Sequence, residues 1–395
     1  MRILAKNSSG NVYDTFSEAY ESLLRKLYES GIMSSPRNLK IQELLGETFV
    51  LKDITGNSVI PHTPERKFSL VYCIAELLWY ISGSNRTSFI ATYAPFWNAI
   101  SDGGVANSSY GHLIFSDRNH PIPRDVDLSQ YDSIVKELKN DPSSRRAVMH
   151  IKSEAVPLTS PDVPCTIALQ FFIRGMKLNC IATMRSTDII LGLPYDVIAF
   201  TSIQKMLAAD LVYSPGEYMH QSGSLHIYEK HFDMLKSIIE RQDTGLYYSV
   251  GDTKHKIDEL FPFERVGYYD SLDEINKLLE IEKSILAGDS KERSFFKIEA
   301  FLRDYKLWGY ILLYHQVKSI DSGDDADIKR LLLQKIENLN SEVYYILTNS
   351  YNGFIKDLKC QQKRVSSLRC INLKIFFRLI QDVKMKNGER YEMNI

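Results

Sequence analysis

"DVPCTIALQFFIRGMKLNCIATMRSTDIILGLPYD", residues 162–196, sets two apolar runs on either side of Gly175. "IALQFFIRG" and "MKLNCIATMR" read as strands joined there as a hairpin, and a long helix is expected after Asp196. Working outward, "RRAVMHI" (145–151) reads as another strand, and "SGSLHIYEKHFDML" (222–235) passes from strand to helix. "MRILA" reads as a short strand and "SEAYESLLRKLYESG" as a helix stopped by Gly31. Residues 39–60 read as strands broken by Gly46 and Gly56. "FSLVYCIAELLWYIS" reads as a mostly buried helix. A Gly, Asn and Ser-rich loop (102–111), a Pro-rich loop (119–127) and a helix around 129–140 follow.

Beyond about residue 265 the strand signals fade. "SLDEINKLLEIEKSIL" opens with Ser271 and Glu274 in a capping-box arrangement, and 290–320, 325–348 and 371–384 are helical by pattern. The expected fold class is therefore α+β, with a core over residues 1–265 and an all-helical C-terminal extension over 266–395.

The 395 residues are 44% apolar and 25% charged, as expected of a globular protein with a substantial core. A net charge of -1 gives no global attraction to nucleic acid or membrane. Basic residues of the last forty (Lys356, Lys359, Lys363, Arg364, Arg369, Lys374, Arg378, Lys384 and Lys386) read as a solvated helical surface, with a polyanion contact as the alternative. The five cysteines are scattered, without a CxxC pair or a Cys/His cluster, so no metal and a reducing compartment are expected. "LVYCIAELLWYISG" is interrupted by Glu76 and too short to span a bilayer. With no apolar leader in "MRILAKNSSG", a cytoplasmic location is expected.

Cys165 follows a proline at the mouth of a strand, where a thiolate would be a strong nucleophile; the competing reading is a buried apolar thiol. Arg145, Arg146 and Arg185 flank it on neighbouring segments, and guanidinium forks suit a phosphate dianion. Glu76 interrupts an apolar helix; if buried, its carboxyl would titrate in a range useful for acid–base work. His226 and Tyr228 share one strand face and can offer hydrogen bonds to a ligand hydroxyl. By position alone, Asp196 reads as a helix N-cap.

Taken in order, "ELLWYISG", Tyr110-Gly111, "NDPSSRRAVM", Pro164-Cys165, "MRSTDIILGLPYD" and "GSLHIYEKHF" resemble the thymidylate synthase superfamily from about Arg37 to Phe232. The resemblance implies a thymidylate synthase-like core, a mixed sheet packed by helices, and a homodimer formed through that sheet with arginines shared across the interface. It implies a pyrimidine nucleoside monophosphate as substrate and 5,10-methylenetetrahydrofolate as one-carbon donor. Cys165 then falls at the nucleophile that adds to pyrimidine C6. Arg37, Arg185 and Ser186 match phosphate contacts, and Arg145 and Arg146 the pair reaching the phosphate across the dimer. His226 and Tyr228 match contacts to the sugar 3′-hydroxyl, Glu76 the acid that organises water, and Tyr110 the tyrosine near C5 proton removal. Asp188, Trp97, Leu191 and Gly192 match the folate site, and Arg66 a basic residue near the folate tail.

Three departures stand out. Thr166 occupies the place after the nucleophile that is usually His, the helical extension replaces the strand-rich C-terminal portion with its closing tail, and Asp196 replaces an Asn. An Asn amide answers both N3–H and O4 of uracil, whereas a carboxylate accepts from the 4-amino group of cytosine, can share a proton with its N3, and would meet uracil with O4 against its own oxygen. A site built on such a hydrogen bond rejects the wrong base by roughly 10⁴ in favourable cases. Asp196 and Thr166 resemble the deoxycytidylate hydroxymethylase branch, in which water adds to the methylene to give hydroxymethyl. The alternatives are a cytidylate hydroxymethylase of the nucleoside-antibiotic type, which retention of Ser186 disfavours, a thymidylate synthase or deoxycytidylate methylase, and a non-catalytic nucleotide-binding protein.

Overall fold

The computed structural model describes residues 11–54, 65–116, 128–151, 156, 159–244, 260–320 and 322–348. The strand expected over "MRILA", Gly56, the Pro-rich loop, the helix expected over 371–384, the basic C-terminal residues, Cys360 and Cys370 lie outside them.

In chain order the elements are β1 (Val12–Tyr13), α1 (Phe16–Ser30), β2 (Ile32–Ser34), β3 (Ile41–Leu51), α2 (Leu70–Ile81), α3 (Thr87–Ile90), α4 (Trp97–Ile100), α5 (Gln130–Asn140), β4 (Val148–His150), β5 (Thr166–Arg174), β6 (Lys177–Met184), β7 (Thr187–Asp188), α6 (Leu193–Asp210), β8 (Ser214–Tyr228) and α7 (Phe232–Asp243). Helices α8 (Tyr268–Leu286), α9 (Lys291–Phe301), α10 (Lys306–Val317), α11 (Asp324–Leu339) and α12 (Ser341–Thr348) follow. Residues 1–344 form one compact unit. The change near 265 is thus a change of element type, and α8 to α11 share that unit with the sheet.

The sheet runs β1-β3-β8-β6-β5-β4 and is mixed: β3–β8, β6–β5 and β5–β4 are antiparallel, while β1–β3 and β8–β6 are parallel. The β5–β6 hairpin turns on Gly175 and Met176, with φ of 58° and 63°. Two successive left-handed residues give the twist that a two-residue hairpin requires. Strand β3 continues through Gly46, which takes a φ of 69° there, rather than breaking at it.

Helix α1 starts on a capping box: Thr15 Oγ1 accepts from the amide of Glu18, whose carboxylate accepts from the Thr15 amide. Its apolar face packs on β3. Helix α2 is apolar over almost its whole circumference because α8 and α10 cover it. Helix α6 packs on β6, β8 and α8, and within it Gln204 donates to the carbonyls of Leu178 and Glu217.

Two local expectations are corrected. Helix α6 starts at Leu193 on Gly192, three residues before Asp196, so Asp196 lies in the first turn and caps nothing. Helix α8 starts at Tyr268, which places Ser271 and Glu274 inside it. The Ser271 hydroxyl donates back to the Gly267 carbonyl, and Glu274 caps a different helix: its Oε2 accepts from the amides of Arg303, Asp304 and Tyr305 at the start of α10.

Candidate active site

Two adjoining cavities, about 620 and 310 Å³, share the walls formed by Arg37, Ser108, Tyr110, Cys165, Arg185, Ser186, His226 and Tyr228. The smaller one is completed by Glu76, Trp97, Asp188, Leu191, Gly192 and Asp196, and by Tyr72, Tyr80 and Tyr195. Thirteen candidates, from Arg37 to Tyr228, thus meet in one place. The topology explains the convergence. Cys165 sits immediately before β5, Arg185 and Ser186 just after β6, and Asp188 in β7 pairs with His226 of β8.

The cysteine loop is pinned from three sides. Arg185 donates through its amide to the Cys165 carbonyl (2.8 Å), through Nε to Pro164 (3.0 Å) and through Nη2 to Val163 (2.8 Å). Asp162, buried, accepts from the Ser108 amide, and Ser160 and Asn107 both donate to Asp102. A Cβ on Gly223 would lie 2.8 Å from the Arg185 carbonyl, so that strand can approach only as glycine. Burial pushes the Cys165 thiol up, with Arg185 opposing it. The resting group is therefore a thiol that a bound ligand must activate.

Glu76 is held between two tyrosines of its own helix. Tyr72 donates to its Oε1 (2.6 Å), Tyr80 hydrogen-bonds it from the next turn, and Trp97 Nε1 donates to the Tyr72 oxygen (3.3 Å). Burial nevertheless lifts Glu76 to about 7, and the tyrosine hydrogen bonds only moderate that. Tyr110 rests against Tyr80 and Phe200, and Thr166 hydrogen-bonds its phenol. A Cβ on Gly111 would sit 2.1 Å from Tyr80 Cα, which explains the glycine after Tyr110.

Asp196 lines the smaller cavity, and burial holds its carboxyl well above the ordinary carboxylate range, with Glu76 and Asp188 adding to the rise. Gly192 makes room: a Cβ there would stand 3.3 Å from Asp196 Oδ2. Asp188 uses Oδ1 to accept from the Ile190 and Leu191 amides (2.7 and 2.9 Å), while its buried Oδ2 has no partner. Leu191 is exposed at the rim.

Arg37 enters the cavity from a turn in which Arg37 and Asn38 both take left-handed φ, 53° and 62°. Such a conformation costs a non-glycine residue roughly 1 kcal/mol or more, a strain that favours a functional role for the turn.

Three candidates lie elsewhere. Arg145 and Arg146 are exposed and line neither cavity; Arg146 pairs with Glu137 (3.0 Å) beside His150. Arg66 is buried under the rim loop, donating twice to the Ile190 carbonyl (3.0 and 2.7 Å) and lying over the Phe68 and Tyr195 rings. It holds Leu191 and Gly192 in place from beneath. Sequence reasoning passed over Tyr72 and Tyr80, although their spacing of four residues on either side of Glu76 was legible. It also missed a buried relay behind β7, in which Thr187 Oγ1 meets Ser222 Oγ (2.8 Å), and Tyr218 meets His220 (2.8 Å), whose pKa burial lowers to about 3. Among the described residues no three His, Cys, Asp or Glu side chains converge as a metal site, and no helix is long and apolar enough to cross a membrane.

The fold resembles that of the thermostable thymidylate synthase A from Bacillus subtilis, with a TM-score of 0.51 at 21% identity over 65% of this chain and 93% of that one. The family model described as thymidylate synthase matches residues 18–268, the stretch that supplies every wall of both cavities. By that match the chain belongs to the thymidylate synthase family, whose members transfer a one-carbon unit from folate to C5 of a pyrimidine nucleotide.

Proposed function

We propose that the chain is a deoxycytidylate hydroxymethylase, converting dCMP to 5-hydroxymethyl-dCMP with 5,10-methylenetetrahydrofolate. The observation that carries this reading is Asp196, whose carboxyl group lines the cavity with Cys165 and Glu76 and is pushed up from the ordinary carboxylate range by burial. A neutral carboxyl group is both donor and acceptor: its O–H meets cytosine N3 and its C=O accepts from the 4-amino group. Uracil N3 already carries its proton and cannot take the one on Asp196, and a carboxylate there would face the lone pairs of uracil O4.

The remaining residues divide the work. Arg37, Arg185 and Ser186 take the phosphate, and His226 and Tyr228, whose rings meet edge to face at 5.1 Å, take the sugar hydroxyl. Transfer of the Asp196 proton toward N3 draws electrons from C6, where Cys165 Sγ adds as its own proton passes to water. Attack of C5 on the methylene requires loss of the C5 proton; Tyr110, its phenol held well above the usual range by burial, orients the water that takes this proton rather than standing as the base itself. Glu76, at about 7, can take a proton from water that supplies the hydroxyl.

The folate side fits its ligand by one direct sign: the buried, unpartnered Asp188 Oδ2 is an acceptor waiting for ring N–H groups. Trp97 and Leu191 offer apolar contact beside it. When bound, the folate supplies the one-carbon unit as an electrophilic methylene.

A homodimer belongs to the same reading. The sheet leaves Leu45 and Ile167 exposed, and Arg145 and Arg146 stand exposed outside both cavities, Arg146 paired there with Glu137. A second copy would bring its arginine pair to the phosphate. The deciding measurement is tritium release from 5-tritiated dCMP, CMP and dUMP, followed by product mass. Release confined to dCMP with a hydroxymethyl product is expected; a methyl product, or release from dUMP in preference, would overturn the reading.

A further inference from the structure

The geometry points to Glu282, on the helical extension, as a positioning residue for the folate wall of the active site, acting through Tyr93. Glu282 lies on α8 and is only 1% exposed. Its Oε1 accepts from the hydroxyl of Tyr93, which belongs to the core segment between α3 and α4. Its Oε2 is buried without a partner, and the side chain of Gln316 on α10, its Nε2 just short of a full hydrogen bond, reaches the same phenol. The His315 ring stands 5.4 Å from Tyr93. Two extension helices therefore grip one hydroxyl of the core, and the extension's unpaired buried polar groups, among the described residues, are gathered at that grip.

What the grip holds is the short segment that leads into Trp97. The Ala94 carbonyl accepts from the Trp97 amide, and the Ala94 amide in turn bonds Ile90, so Tyr93 sits in the turn that sets where the indole begins. Trp97 Nε1 donates to Tyr72 OH, which donates to Glu76. Displacing Tyr93 thus shifts the folate-facing indole first and the Glu76 hydrogen bond second. The nucleotide contacts stand on strand ends and the Arg37 turn, which the grip does not touch. The extension then acts as a clasp on one half of the cavity and leaves the other half unchanged.

The test uses the full chain. Trp97 is 6% exposed while Trp79 and Trp308 are 0% exposed, so acrylamide quenching of fluorescence reports chiefly on Trp97. Tyr93→Phe and Glu282→Leu should raise quenching and increase KM for methylenetetrahydrofolate about five- to tenfold, the worth of one hydrogen bond, with dCMP affinity unchanged. Glu282→Gln keeps the acceptor and should restore both readings. If folded Tyr93→Phe and Glu282→Leu quench like the wild type, the clasp is refuted. A joint rise in folate KM and dCMP dissociation constant would also refute it, since general loosening predicts that. The KM arm rests on the function proposed above; if the wild-type chain transfers no one-carbon unit, that function fails, and quenching alone decides the clasp.

Discussion

The cavity and the helical extension treat buried polar groups in opposite ways. In the extension they are spent on folding: Glu274 caps three amides of α10, Tyr305 bonds Ser271, and Trp308 Nε1 donates to the Leu260 carbonyl. In the cavity, Asp188 Oδ2 is unpaired, and burial lifts Glu76 and Asp196 out of the usual carboxylate range. An unsatisfied buried group typically costs about 1–3 kcal/mol. At Asp188 a ligand can remove that cost, whereas at Glu282 Oε2 the extension keeps it at the contact with Tyr93. The Glu282–Tyr93 grip is where the two halves meet.

The comparison breaks most visibly at Cys165. Cys165→Ser should lower turnover by about 10³-fold or more while dCMP binding by calorimetry stays within a few-fold. Residual turnover near wild type would remove the thiol from the chemistry.

Next in size is Asp196→Asn, which replaces an acid with an amide that suits uracil. The ratio of kcat/KM for dCMP over dUMP should fall by about 10³-fold or more. An unchanged ratio would show that something other than Asp196 reads the base.

Glu76→Gln should separate stability from activity. Burial raises Glu76 from 4.5 to about 7, so between those values the folded chain keeps a proton that the unfolded chain has lost. Stability from this group therefore falls as pH rises through that window. The glutamine variant should gain up to about 3 kcal/mol at pH 8 relative to wild type and little at pH 4, as read by denaturant melts. Turnover should drop by about 10²-fold or more. Equal melts at both pH values would show that Glu76 carries no burial penalty.

The smallest effect belongs to the extension. Glu274→Ala strips the cap from α10 and should cost about 1–2 kcal/mol in stability, with kcat of the folded protein unchanged. A loss of activity without a loss of stability would place Glu274 on the wrong side of the comparison.

How far the chain could be read depended on how local each signal was. The β5–β6 hairpin at Gly175, the buried α2 and the shift to helices after 265 follow from periodicity and turn residues, which act over a few positions. The Ser271 and Glu274 pattern misled because a capping box and a long-range cap use the same residue types. Only the packed chain shows that Glu274 faces α10, thirty residues on. Asp196 was misread as an N-cap for a related reason: the helix already starts from Gly192, so the acid falls in its first turn, where it lines the cavity.

By itself, the sequence determined the strands, the helices and the order of the motif residues, because each rests on neighbours along the chain. Tertiary structure decided which carboxyl groups lose water, that Arg66 serves a carbonyl from below, and that α8 and α10 close on Tyr93. The physical reason is common to all three: desolvation and hydrogen-bond partnership depend on what lies across space, and that is settled only when distant segments meet.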